Sequence, residues 1–193
     1  EPGDVVVVKG KTVVPEEKKV YLAFNKPRGI VCTAEKREKN NVIDYLSYPV
    51  RIYPVGRLDK DSEGLLLMTN DGAIVNGIMR ARNRHEKEYQ VEVNKEITPE
   101  FLKKMASGVP ILDTVTRPCR IQKTGERSFT IILTQGLNRQ IRRMCEALGY
   151  RVTKLKRVRI MNIHLKDLKT GEYRPLTEKE LAELKKQIGE EKR

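Results

Sequence analysis

Three acids stand close together at Asp59, Asp61 and Glu63, followed by Gly64. Carboxylates so spaced can hold calcium, can form an ordinary turn, or can present one ionised group as a nucleophile. The calcium reading fails on position. A calcium loop starting at Asp59 needs a bidentate acid at about its twelfth residue, and that residue is Asn70. The intervening Leu65-Leu66-Leu67-Met68 is an apolar run that reads as a strand. A turn former and a nucleophile remain as alternatives for these acids.

The second chemical signal is cationic. Between Thr134 and Arg159 eight Arg or Lys residues (Arg139, Arg142, Arg143, Arg151, Lys154, Lys156, Arg157 and Arg159) stand against one acid, Glu146. The stretch from Glu172 to Arg193 is balanced, six acids against six bases. A patch that is basic in one region and not another reads as a binding surface. Over the whole chain 39 Lys and Arg face 26 Asp and Glu, a net charge of +13, which implies a polyanionic partner. Cys32, Cys119 and Cys145 are odd in number and far apart, and His85 and His164 lack ligand spacing. No metal site or disulfide framework is expected, and a reducing compartment, the cytoplasm, is. No run is apolar enough to cross a membrane, so no membrane partner is expected. Because Glu1 rather than Met opens the chain, its N-terminus is expected to belong to something longer.

These residues need elements to position them. Val5–Val8 and Thr12–Val14 read as a hairpin too short to fold alone, with a linker over 15–19. Strands are expected at Val20–Phe24, Ile30–Cys32, Arg51–Val55, Leu65–Met68, Glu88–Val93, Arg120–Gln122, Phe129–Leu133 and Val158–Leu165. Helices are expected from the Asn41 cap to Leu46, over Ala73–Arg80, and from the Thr98-Pro99-Glu100 start to the Gly108 stop. The strongest periodicity is Asn138–Leu148, with Ile141, Met144, Cys145 and Leu148 on one stripe. Thr177-x-x-Glu180 is a capping box opening a last helix. Strands alternating with short helices predict an α+β domain with a largely antiparallel sheet.

Four segments in this order resemble one known family. They are Lys26-Pro27-x-Gly29, then Gly56-Arg57-Leu58-Asp59 with Ser62-Glu63-Gly64-Leu65-Leu66, then Lys87-Glu88-Tyr89-x-Val91, then Gly136-Leu137-Asn138-Arg139-Gln140-Ile141-Arg142-Arg143-Met144. Together they are similar to the bacterial ribosomal pseudouridine synthases of the RsuA type. Asn25–Thr33 and Arg157–Asn162 resemble the RluF branch, which acts on large-subunit (23S) rRNA. Pro2-Gly3-Asp4 with Val5–Val8 resembles the last hairpin of an S4-type RNA-binding domain. Residues 1–17 are therefore read as a remnant of that domain plus linker, and 18–193 as the catalytic domain.

The resemblance implies an isomerase that acts on uridine in RNA, with tRNA as an additional target beside rRNA, without cofactor or metal, as a monomer. It implies Asp59 as the catalytic carboxylate, attacking either base or ribose, and Tyr89 as the face on which the extruded base stacks. A buried carboxylate needs a cation. At about 100° per residue, Arg142 lies at the edge of the apolar stripe and Arg139 and Arg143 point away. Arg142 is therefore expected to pair with Asp59, and Arg139 and Arg143 to meet phosphates. Arg57, Lys26, Arg80, Arg82, Arg84 and Lys154 complete the expected RNA contacts. The rival reading is a non-catalytic RNA-binding module built on the same basic patch.

Overall fold

The computed structural model describes residues 6–8, 11–13 and 18–190. Near the N-terminus β1 (Val6–Val8) pairs antiparallel with β2 (Lys11–Val13). Most of the stretch read as an S4-type remnant, residues 1–5, 9–10 and 14–17, lies outside the described residues.

The rest is an α+β fold on one large sheet. Its strands are β3 (Tyr21–Lys26), β4 (Tyr53–Val55), β5 (Glu63–Thr69), β6 (Lys87–Val93), β9 (Arg120–Gly125), β10 (Ser128–Leu133), β11 (Val152–Ile160), β12 (Ile163–His164) and β13 (Tyr173–Pro175). A small hairpin, β7 (Pro110–Ile111) with β8 (Thr114–Val115), stands apart from it. The main path runs β13-β3-β5-β11-β6-β10-β9, with β4 also on β5 and β12 on β11. Every pairing between the sheet's named strands is antiparallel except β5 with β11, which touch in parallel at Glu63–Lys156 and Gly64–Arg157.

That contact is a seam. One edge of β5 is taken by β3, while its other edge is shared. Near its end Leu67–Thr69 pairs with β4, and at its start Glu63–Gly64 meets β11. The loop from Gly56 to Ser62 must therefore bridge the gap where β4 and β11 part. Gly64 sits at φ +109°, and a Cβ there would collide with the Arg157 carbonyl oxygen, so only glycine lets the strands approach this closely.

Burial explains the run patterns. Leu65 and Leu67 pack into one core with Ile74, Ile78 and Leu184, beneath α2 (Gly72–Arg80) and α5 (Glu178–Glu190). Leu66 and Met68 pack on the other face with Phe24, Ile52 and Val42 of α1 (Val42–Leu46). A strand covered on both faces loses its alternation. A third core joins β6 and β10 to α3 (Pro99–Ser107) and α4 (Gln140–Ala147) through Phe101, Phe129, Ile131, Ile141 and Met144. The caps formed by Asn41, Asp71 and Thr98 each accept a backbone N–H of the first turn.

The sequence expectations depart from this fold in several places, and they do not include the short strands β7, β8 and β13. Ile30–Cys32 is not a strand; Val31 makes a single bridge to Asn41. The last long strand starts earlier, at Val152, and breaks at Met161, where φ reaches +55°, before resuming as β12. Helix α4 starts later than Asn138, because Arg139 takes a left-handed conformation with φ +48°.

Candidate active site

The Gly56–Ser62 loop is held from several sides. Gly56, at φ +78°, turns the chain off β4. The Ser62 N–H closes a turn on the Asp59 carbonyl at 3.0 Å. The Gly29 N–H donates to the Lys60 carbonyl at 2.7 Å. Arg142, on α4, donates through Nη2 to the Asp61 carbonyl at 3.0 Å and to Ser62 Oγ at 3.1 Å. Arg157 Nη1 reaches the Arg57 carbonyl at 3.4 Å, and its Nε donates to the Leu65 carbonyl at 2.9 Å. Two buried guanidinium groups and an amide thus fix the backbone that carries Asp59.

Asp59 itself projects from the turn and is about one-third exposed. Its ion-pair partner is Arg139, at 3.3 Å from Nη1 to Oδ2. The same guanidinium grips Asp61 with two hydrogen bonds of 3.2 and 3.1 Å, which hold the Asp61 carboxyl below its usual range. This differs from the expected pairing. Arg142 is buried as the periodicity of α4 predicts, but its side chain meets Asp61, at 3.6 Å, and not Asp59. The reason lies in the turn. The Asp61 carbonyl and the Ser62 hydroxyl lie within reach of Arg142, whereas the Asp59 carboxylate is met by Arg139, which spans both Asp59 and Asp61.

Asp59 lines a cleft of about 470 Å³. Tyr89 and Lys87 of β6, Arg57, Arg82, Leu137 and Arg157 line it too. Tyr89 is two positions from Lys87 and shares its face of the strand. The Lys87 ammonium donates to the Arg82 carbonyl at 2.7 Å, and burial, with Arg157 and Arg82 nearby, lowers its pKa to about 8. Among the described residues no cluster of three or more metal-type ligands occurs.

Five of the expected RNA contacts are placed differently from Arg57 and Arg82. Lys26 is fully buried, and its ammonium donates to the carbonyls of Pro27, Ile30 and Lys60 at 2.9, 2.7 and 3.4 Å. It holds the opening loop to the Asp59 loop, and its desolvation lowers its pKa to about 8. Lys154 pairs with Glu92 at 4.0 Å. Glu92 alternates with the buried Val91 and Val93, so Lys154 stands on the sheet face away from the cleft. Arg143 folds back on Asn138, with bonds of 3.0 Å to its carbonyl and 2.8 Å to its side chain. Arg80 is exposed at the end of α2 and is not part of the cleft wall, and the exposed Arg84 is in the turn that follows.

The sequence reading missed Arg157 and Lys87 as cleft residues. A signal was available for the first. Leu155 and Arg157 share strand parity, so the face that buries Leu155 also turns Arg157 inward. It was masked by treating the basic run as one patch.

The sequence profile described as RNA pseudouridylate synthase matches residues 20–147, the stretch that carries both the Asp59 loop and α4. The chain belongs to that family. Over 190 residues it is 53% identical to the dual-specificity RNA pseudouridine synthase RluF of Escherichia coli (strain K12), covering 97% of this chain and 66% of that protein. It is 36% identical to the ribosomal large subunit pseudouridine synthase B of Bacillus subtilis (strain 168), covering 94% of this chain and 78% of that one. A crystal structure of a pseudouridylate synthase superposes with a TM-score of 0.79 at 30% identity, over 90% of this chain and 76% of its own. The chain thus spans about two thirds of the length of its RluF relative.

Proposed function

We propose that this chain converts uridine in RNA to pseudouridine, with large-subunit rRNA as its principal substrate and tRNA as a second. The observation that carries the reading is the arrangement of the cleft. Asp59, paired with Arg139, stands on an anchored loop and lines the same cleft as Tyr89, Arg57, Arg82 and Arg157. The kinship with a dual-specificity synthase and a large-subunit synthase supports the choice of RNA.

The reaction breaks the N1–C1′ bond, turns the base, and joins C5 to C1′; the C5 proton leaves and N1 gains one. Nothing else is exchanged, so the task is to place one carboxylate and one base. Asp59 is the nucleophile. Tyr89 receives the extruded uracil by stacking. Arg142 keeps the loop in register. Arg139 holds the carboxylate ready in the free enzyme and meets backbone phosphate when RNA arrives. Arg57 fills the space the uridine vacates, and Arg82, Arg80, Arg84, Arg143 and Lys154 contact phosphates further out. The hairpin β1–β2 belongs to a preceding RNA-binding module.

Unmodified rRNA transcript carrying uridine tritiated at C5 tests this. The protein is expected to release tritium to water, and Asp59→Asn to release none while binding RNA within about threefold of the parent. RNA binding without any release by the parent protein would leave a non-catalytic RNA-binding module and overturn the reading.

A further inference from the structure

The cleft wall carries two cations, Arg157 and Lys87, that pair with no acid among the described residues. Arg157 is 6% exposed and lines the cleft, and its Nη2 has no hydrogen-bond partner among the described residues. Its other nitrogens are committed to backbone carbonyls, which carry no net charge. Lys87 lies beside it and also bonds only a carbonyl, that of Arg82. The acids on either side of Lys87 in the chain are engaged elsewhere. Glu88 is bound by Arg159, and Glu86 by Arg159 and Arg120. A desolvated pair of like charges is costly, and it is offset when an anion arrives between water-excluding walls.

We propose that Lys87, backed by the fixed charge of Arg157, holds the pyrimidine oxygens of the uracil as the base detaches. The proposal rests on the isomerase reading above. Lys87 lies two residues from Tyr89 on the same face of β6, roughly 7 Å along the strand. That is the distance from a stacking ring to a group at the far edge of the stacked base. The phosphates have nearer cations at the exposed mouth, Arg57 and Arg139.

The charge arises as follows when Asp59 attacks the sugar. A carboxylate oxygen bonds to C1′ as the N1–C1′ bond breaks, and the electron pair stays with the base. The uracil anion spreads that charge over N1, O2 and O4, where the Lys87 ammonium meets it. After the ring turns, C5 bonds to C1′, the carboxylate leaves with its electrons, the C5 proton passes to water, and N1 takes up a proton. Lys87 therefore binds the detached base more strongly than the neutral uridine, which makes it a catalytic contact.

The test compares wild type and Lys87→Met in single-turnover tritium release. The substitution is expected to lower the rate about 100-fold while RNA affinity changes by less than about threefold. RNA containing 5-fluorouridine, whose base leaves more readily as an anion, should narrow the deficit in base rearrangement measured by mass spectrometry. An unchanged rate, or weaker RNA binding at an unchanged rate, overturns the proposal, and so does an equal deficit on both RNAs, which marks a structural role. Should Lys87→Met lose its circular-dichroism signature of folding, wild type decides. Barbiturate, a planar pyrimidine anion, should inhibit tritium release far more strongly than neutral uracil, and equal inhibition overturns the assignment. Absence of tritium release from wild type would instead overturn the isomerase reading itself.

Discussion

At the scale of single residues, the cleft separates two kinds of arginine. Arg142 is buried and bonded to the Asp61 carbonyl and Ser62, whereas Arg143 is half-exposed and bonded only to Asn138 within its own segment. Removing a buried charged donor leaves its acceptors unsatisfied, at about 2–4 kcal/mol. Arg142→Leu is expected to lower the chemical-denaturation stability by that amount and to suppress tritium release. Arg143→Leu should lower stability by less than about 1 kcal/mol and retain most turnover. The reverse order would show that α4 does not anchor the Asp59 loop. Periodicity sufficed to see that Arg142 turns inward, because helical phase is a local property. It could not say which of two acids two residues apart it would meet, since that depends on how a turn is folded.

At the scale of elements, the seam between β5 and β11 and the opening of α5 carry separate predictions. Gly64→Ala places a Cβ against the Arg157 carbonyl in a conformation that L side chains rarely adopt. A cost of about 3 kcal/mol or more in unfolding free energy is expected, with loss of turnover because the Asp59 loop ends at that contact. Normal stability in this variant would mean that the strands do not approach as described. In α5, Arg174 grips Glu180 at 2.8 and 3.0 Å and Thr177 completes the box, driving the Glu180 pKa down to about 2. A carboxyl whose folded pKa lies below its unfolded one adds stability above the unfolded value near 4.5, and loses it as pH falls toward 2. Glu180→Gln should therefore cost roughly 2–3 kcal/mol at neutral pH and flatten the acid side of the stability profile between pH 4.5 and 2. An unchanged acid limb would refute the pairing. The box was legible in sequence because capping is written in four consecutive residues. Strands β7, β8 and β13 were not, since two or three residues are too few to show a period.

At the scale of the molecule, a net charge of +13 is spread over two surfaces. The cleft side presents Arg57, Arg82 and Arg139, while Lys154 stands on the opposite sheet face beside Glu92. RNA affinity should fall steeply with salt, and neutralising Arg57 or Arg82 should each reduce the slope of log K against log salt by about one. Lys154→Gln should change that slope by about half a unit at most, since this lysine already has an acid beside it. A slope that responds equally to all three would place RNA around the protein and not along the cleft. No described helix is long and apolar enough to cross a membrane.

The sequence alone determined the longer strands, the helices and their capped starts, the α+β class and the family, because each is written in short-range pattern or in the residues themselves. It also singled out Asp59, Tyr89 and Arg142. The tertiary structure decided what those residues touch. Lys26 proved to be a buried clamp, Arg139 rather than Arg142 took the Asp59 carboxylate, and Lys87 with Arg157 came to line the same cleft. Each of these outcomes depends on segments distant in the chain meeting, 34 residues apart for Lys26 and Lys60 and 80 apart for Asp59 and Arg139. Contact at such separations is settled by packing, and no local period records it.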